Sequence, residues 1–103
     1  MFIALYHWKL KPGQERRFQE GWHRRTQEIY QKCGSLGSRL HRGEDGTWYA
    51  YAQWPDKQTW EAAGKIPVEH REALVMMQES IEQTYPSIYL DVVDDLLQQT
   101  AIS

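Results

Sequence analysis

Residues Gly46 to Ala63 read GTWYAYAQWPDKQTWEAA. Side chains alternate across a strand, so Trp48, Ala50, Ala52 and Trp54 share one face and Tyr49, Tyr51 and Gln53 the other. Pro55 and Asp56 end the strand. Asp56 is of the type that caps a helix N-terminus, Gly64 is a stop, and a short helix carrying Trp60 is expected between them. Two large aromatics separated by alanines leave room on that face. A helix approaching closely fills it, or a small molecule does, with Tyr6 and Trp54 as flat walls, Ala50 and Ala52 as the floor and Trp60 as the lid.

Upstream, GEDG makes a hairpin turn. With Gly46 in the left-handed conformation, Glu44-Asp45-Gly46 forms a three-residue loop, and Ser38 and Leu40 then share the face of Trp48, Ala50, Ala52 and Trp54. Arg39 and His41 share the face of Tyr49, Tyr51 and Gln53. A two-residue Asp-Gly turn would exchange these pairings.

Phe2 to Leu10 is a strand by its β-branched and aromatic content and ends at Lys11-Pro12-Gly13. From Gln14 to Cys33, Phe18, Trp22, Ile29 and Cys33 recur at helical spacing, and Gly34 stops the helix. Arg16-Arg17 and Arg24-Arg25 lie among Glu and Gln and read as solvated surface. Pro67 suits the first turn of a third helix whose inward stripe is His70, Leu74, Met77 and Ile81, ended by Tyr85-Pro86. SIYLDVV is the last strand, followed by a polar tail. The order β-α-β-β-α-α-β over 103 residues predicts a single α+β domain: a ferredoxin-like, four-stranded antiparallel sheet with its helices on one face. Ile3, Leu5, Tyr49 and Tyr51 would lie bare on the other face, so a homodimer joined through facing sheets is expected.

A net charge of −2 and a pI near 6.1 give no attraction for nucleic acid or a membrane surface. Cys33 stands alone, no segment reads as a signal peptide or membrane span, and a soluble cytoplasmic protein is expected. The candidate chemical groups are few. His70, on the helix stripe, suits a general base on a bound phenol or a buried structural role. Arg71 suits an anion clamp or a surface ion pair, and Tyr6 suits a donor to a substrate oxygen or a core position. No His-x-His pair, Gly-rich phosphate loop or serine nucleophile motif occurs, so no metal site is expected.

The segment GEDGTWYAYAQWPDKQTWEAA, Gly43 to Ala63, followed by HREAL, His70 to Leu74, resembles the antibiotic biosynthesis monooxygenase family of the dimeric α/β barrel superfamily over nearly the whole chain. The resemblance implies a pocket between sheet and helices in each subunit of a dimer. For its enzymes it implies oxygenation of a small electron-rich aromatic (phenol, anthrone or quinol type) with no flavin, metal or haem. In those enzymes the Trp matched by Trp54 and an Arg matched by Arg71 line the pocket. Their strand Asn is Ala50 here and their helix Tyr is Trp60. Haem-degrading relatives carry an Asn where Tyr6 stands and a haem-binding His near the place of His70, and this chain has no asparagine. Three functions follow for test: a cofactor-independent monooxygenase, a non-catalytic binding module for a small aromatic ligand, and a structural dimer.

Overall fold

The computed structural model describes residues 1–98. The elements are β1 (Phe2–Leu10), α1 (Glu15–Lys32), β2 (Gly37–Arg42), β3 (Trp48–Trp54), α2 (Lys57–Ala63), α3 (Arg71–Ser80), β4 (Ile81–Thr84) and β5 (Ile88–Asp91). The sheet runs β2-β3-β1-β4, antiparallel throughout, and β5 also pairs with β1. This is the expected ferredoxin-like α+β arrangement, with five strands rather than four.

The extra strand has a simple origin. β4 pairs with Trp8–Leu10 and β5 with Phe2–Leu5, so both flank the same edge of β1. Between them the Tyr85 N–H donates to the His7 carbonyl at 3.0 Å. Pro86 follows and has no N–H for the ladder. The result is one edge strand interrupted at a proline. It also corrects the expected reach of the third helix, which ends at Ser80; Ile81 is already a strand residue opposite Leu10. The Lys11 N–H donates to the Ser80 carbonyl at 2.9 Å, tying that helix end to the sheet.

The hairpin has the predicted register. Ser38 pairs with Ala52 and Leu40 with Ala50, while Arg39 and His41 face Tyr51 and Tyr49. Gly46 takes φ 84°, and the Gly43 N–H donates to the Thr47 carbonyl at 2.7 Å, closing the three-residue loop. Asp56 caps α2 as expected, its Oδ1 accepting the Thr59 N–H at 2.7 Å. That hydrogen bond holds the Asp56 carboxyl below its ordinary pKa.

The helices cover the face bearing Phe2, Ala4, Tyr6, Trp8 and the alternate residues of β3. Phe18 is fully buried between Trp8 and Trp48, with ring centroids 5.1 and 6.2 Å away in edge-on geometry. α1 crosses α3 at Gly21, where a Cβ would lie 2.7 Å from the Ala73 carbonyl oxygen. Trp22, placed in the core by helical spacing, is only half-buried; it lines a hollow of about 540 Å³ with His23, Arg42 and Trp48.

The outer sheet face is less bare than its apolar pattern predicts. Ile3 is 2 % exposed and sits between its cross-strand neighbours Gln53 and Leu90, and Leu5, Tyr49 and Tyr51 are half-buried. His7 stacks between Tyr49 and Tyr85 at 5.6 and 5.2 Å. Exposed apolar surface on this face comes instead from Ile88 and Leu90 of the proline-interrupted edge. The tail after β5 has no helix or strand up to Gln98; its remainder lies outside the described residues. Among the described residues no helix is long and apolar enough to cross a membrane.

Candidate functional site

On the helix side, Tyr6 of β1 and Trp54 of β3 open onto a cleft of about 450 Å³. α2 supplies Trp60 and Glu61 to its walls, and α1 supplies Arg25 and Ile29. The sequence folds this way because β1 and β3 pair with Phe2 opposite Trp54 and Tyr6 opposite Ala50, putting all four on the helix face. Asp56 then starts α2 directly after the strand, and the short helix carries Trp60 back over Tyr6.

The Trp60 Nε1–H donates to the Tyr6 hydroxyl oxygen at 3.0 Å. A phenol that accepts one hydrogen bond keeps its own proton free to donate. Burial pushes the Tyr6 pKa up, more than the Trp60 hydrogen bond lowers it, so the hydroxyl stays a donor through neutral pH. Trp60 is fixed further by Phe2 at 5.3 Å and Tyr89 at 4.8 Å between ring centroids. Trp54 is 4 % exposed, and among the described residues its Nε1–H has no acceptor. An orphaned buried donor costs roughly 1–3 kcal/mol, which an incoming acceptor would recover.

The two alanines take another part. Ala50 and Ala52 are buried, and neither lines the cleft. Ala52 belongs to the core cluster with Phe2, Ala4 and Trp54, against which Tyr6, Ile29 and Trp60 pack. Their small size admits close packing beneath the cleft. Trp54 is therefore both a core residue and a cleft wall.

His70 and Arg71 are not brought to this cleft. His70 is the N-cap residue of α3 rather than part of its inward stripe, its side chain is exposed, and its Nδ1 lies 3.7 Å from Glu72 Oε1. The buried positions of α3 are Ala73 and Ser80. Pro67 lies in the connection before α3 and not in its first turn. The physical reason is Glu28 of α1, a buried carboxylate whose Oε1 accepts the Glu69 N–H at 2.9 Å. It ties the residue before the N-cap to α1, just ahead of a helix that begins at Arg71 and whose N-cap, His70, makes no side-chain capping bond. That hydrogen bond, outweighing burial and aided by Arg25, holds the Glu28 carboxyl below its ordinary pKa. His70 lines a separate hollow of about 240 Å³ with Glu28, Lys32 and Glu72.

Arg25 is the cleft residue missed by sequence reading. It is the cation on the wall, its side chain 22 % exposed, with Nη1 3.3 Å from Glu28 Oε1. Arg24, beside it, is the surface residue expected, paired with Glu20. A larger hollow of about 560 Å³ lies on the opposite sheet face, against Arg39, His41 and Tyr51, and contains none of these groups. Among the described residues no three His, Cys, Asp or Glu side chains gather to hold a metal ion.

An antiparallel ferredoxin-like sheet with an aromatic cleft beneath its short second helix defines the structural class. Residues 1–68 match the model of the antibiotic biosynthesis monooxygenase family, and the chain belongs to that family. The matched region contains Tyr6, Arg25, Trp54 and Trp60 and stops short of His70. Solved structures of similar fold include SnoaB, a cofactor-independent oxygenase of Streptomyces nogalater, at TM-score 0.76 and 12% identity over 94% of this chain and 97% of that one. Rv0793 of Mycobacterium tuberculosis aligns at TM-score 0.73 and 9% identity over 93% and 98% of the two chains. A conserved protein of Methanosarcina mazei Go1 aligns at 0.70 and 12% over 86% and 89%. Comparison with the curated proteins finds no match.

Proposed function

We propose that the chain is a cofactor-independent monooxygenase acting on an electron-rich aromatic held in the Tyr6–Trp54–Trp60 cleft. The observation that carries this reading is the Tyr6 hydroxyl, anchored by Trp60 and left free to donate, between indole walls able to clasp a planar ring. The matching reaction converts an activated ring CH2 to a ketone. Two C–H bonds break, one oxygen atom of O2 forms the C=O, and the other leaves as water with both hydrogens. The substrate supplies all the electrons and O2 takes them. Ionisation of the substrate to its enolate comes first, and the Tyr6 O–H stabilises the oxyanion that develops. The protein's other contributions are orientation and a partly dry site.

The exposed position of His70, outside the cleft, favours a second reading in which the same cleft binds its aromatic ligand without turnover. Anthrone under oxygen separates the two. Accelerated anthraquinone formation supports the first, and tryptophan quenching without turnover supports the second.

We further propose that the protein acts as a cytoplasmic homodimer joined through the outer sheet face, on the strength of the His7–Tyr49–Tyr85 stack and exposed Ile88 and Leu90. Sedimentation of a monomer at micromolar concentration would refute that assembly.

A further inference from the structure

We infer that Arg25 is an anion anchor, that buried Glu28 positions it, and that the cleft's ligand is therefore an aromatic acid. This rests on the reading of the cleft as a ligand site and deepens it by naming the charge of the ligand.

Arg25 is unlike its neighbours on α1. Arg17 and Arg24 form exposed pairs with Glu79 and Glu20, their side chains 43% and 51% exposed. Arg25 is mostly withdrawn from solvent and lines the cleft together with Tyr6, Trp54 and Trp60. Its single ion pair, at 3.3 Å, uses one nitrogen of a group with five N–H donors. The rest of the fork stays available for a bidentate carboxylate.

Glu28 does not consume that capacity. Its Oε1 is shared with the Glu69 N–H, at the head of α3, and it is 5 % exposed. One carboxylate oxygen is thus shared between the backbone and the guanidinium, holding Arg25 in one place, while Oε2 is buried with no hydrogen-bond partner among the described residues. Glu61, the carboxylate on the cleft wall, is an exposed partner of Lys57 at 3.9 Å, and Lys32 pairs with Glu69 behind Glu28. A planar body between Trp54 and Trp60 can then accept from Tyr6 through a ring oxygen and place an acid group on Arg25.

The test compares 2-naphthoate with the neutral isostere 2-naphthalenemethanol by isothermal titration, on wild type, Arg25→Gln, Arg25→Lys and Glu28→Gln. Wild type should bind the acid about tenfold more tightly than the alcohol, which is the discrimination one well-placed charged pair confers. Arg25→Gln should bring the acid down to the alcohol's affinity and leave the alcohol unchanged. Arg25→Lys should keep part of the preference, and Glu28→Gln should reduce the ratio of the two affinities, which a purely structural role would lower together. A preference that survives Arg25→Gln, or equal binding of acid and alcohol by wild type, overturns the anchor while leaving the cleft a ligand site. Failure of wild type to bind either probe overturns both.

Discussion

Replacing Trp54 by alanine and by phenylalanine separates its two roles. The ring is 4 % exposed and joins Phe2, Ala4 and Ala52 in the core, so Trp54→Ala should cost about 3–5 kcal/mol of folding stability. That is a large share of the roughly 5–15 kcal/mol available to a domain. Trp54→Phe keeps most of the ring and deletes the unpartnered Nε1–H. A residual void of roughly 40 Å³ would cost about 1 kcal/mol at about 24 cal/mol per Å³. Relief of the orphaned donor returns about 1–3 kcal/mol. The two terms nearly cancel, so Trp54→Phe should stay within about 1 kcal/mol of wild type. Urea unfolding followed by far-ultraviolet circular dichroism, at one protein concentration so that any association is held constant, measures both. A loss under about 1 kcal/mol for Trp54→Ala would refute the core assignment. Equal losses for the two variants would show that the indole N–H has a partner after all.

Other expectations follow from single contacts. Gly21→Ala would ordinarily stabilise a helix by up to about 1 kcal/mol, but a Cβ 2.7 Å from the Ala73 oxygen should make it destabilising by about 1–3 kcal/mol in the same urea assay. Ultraviolet titration should show a tyrosine ionising above the ordinary tyrosine range, and Tyr6→Phe should remove that late step, because burial raises the Tyr6 pKa. The Glu28 pKa is lowered by folding, so its contribution to stability is present above the ordinary carboxylate range and lost as pH falls through the folded value; Glu28→Gln should flatten the acid limb of the stability curve. Tyr51→Glu, on the outer face, should shift sedimentation toward monomer, and an unchanged dimer would place the interface elsewhere.

What could be read from the sequence was local. Gly46 and the alternation from Trp48 to Trp54 determined loop, register and faces, because a one-residue slip would have exposed the whole set. The end of α3 was hidden, since Ile81 continues the i+4 pattern from Met77 and no Gly or Pro occurs from Leu74 to Tyr85; only its pairing with Leu10 makes it a strand. Its start was hidden as well. The carboxylate that ties down the segment before it, Glu28, lies 41 residues from the amide hydrogen it accepts, and spacing alone puts His70 on the stripe. Arg25 carried a signal that charge obscured. Residues 18, 22, 25 and 29 fall on one helical face, so the arginine beside Arg24 sits on the inward stripe with Phe18 and Ile29. The roles of Trp22 and Trp54 are reversed in burial because strand β3 lies at the sheet centre while α1 leaves Trp22 over the β2 edge.

Oxygen uptake with anthrone, on wild type and Tyr6→Phe side by side, tests the proposed activity most directly. The account predicts uptake above the uncatalysed rate, one dioxygen per anthraquinone formed, and a slower reaction in Tyr6→Phe, whose oxyanion loses its donor. Uptake by wild type no faster than in protein-free buffer, or catalysis indifferent to the loss of the Tyr6 hydroxyl, would contradict it.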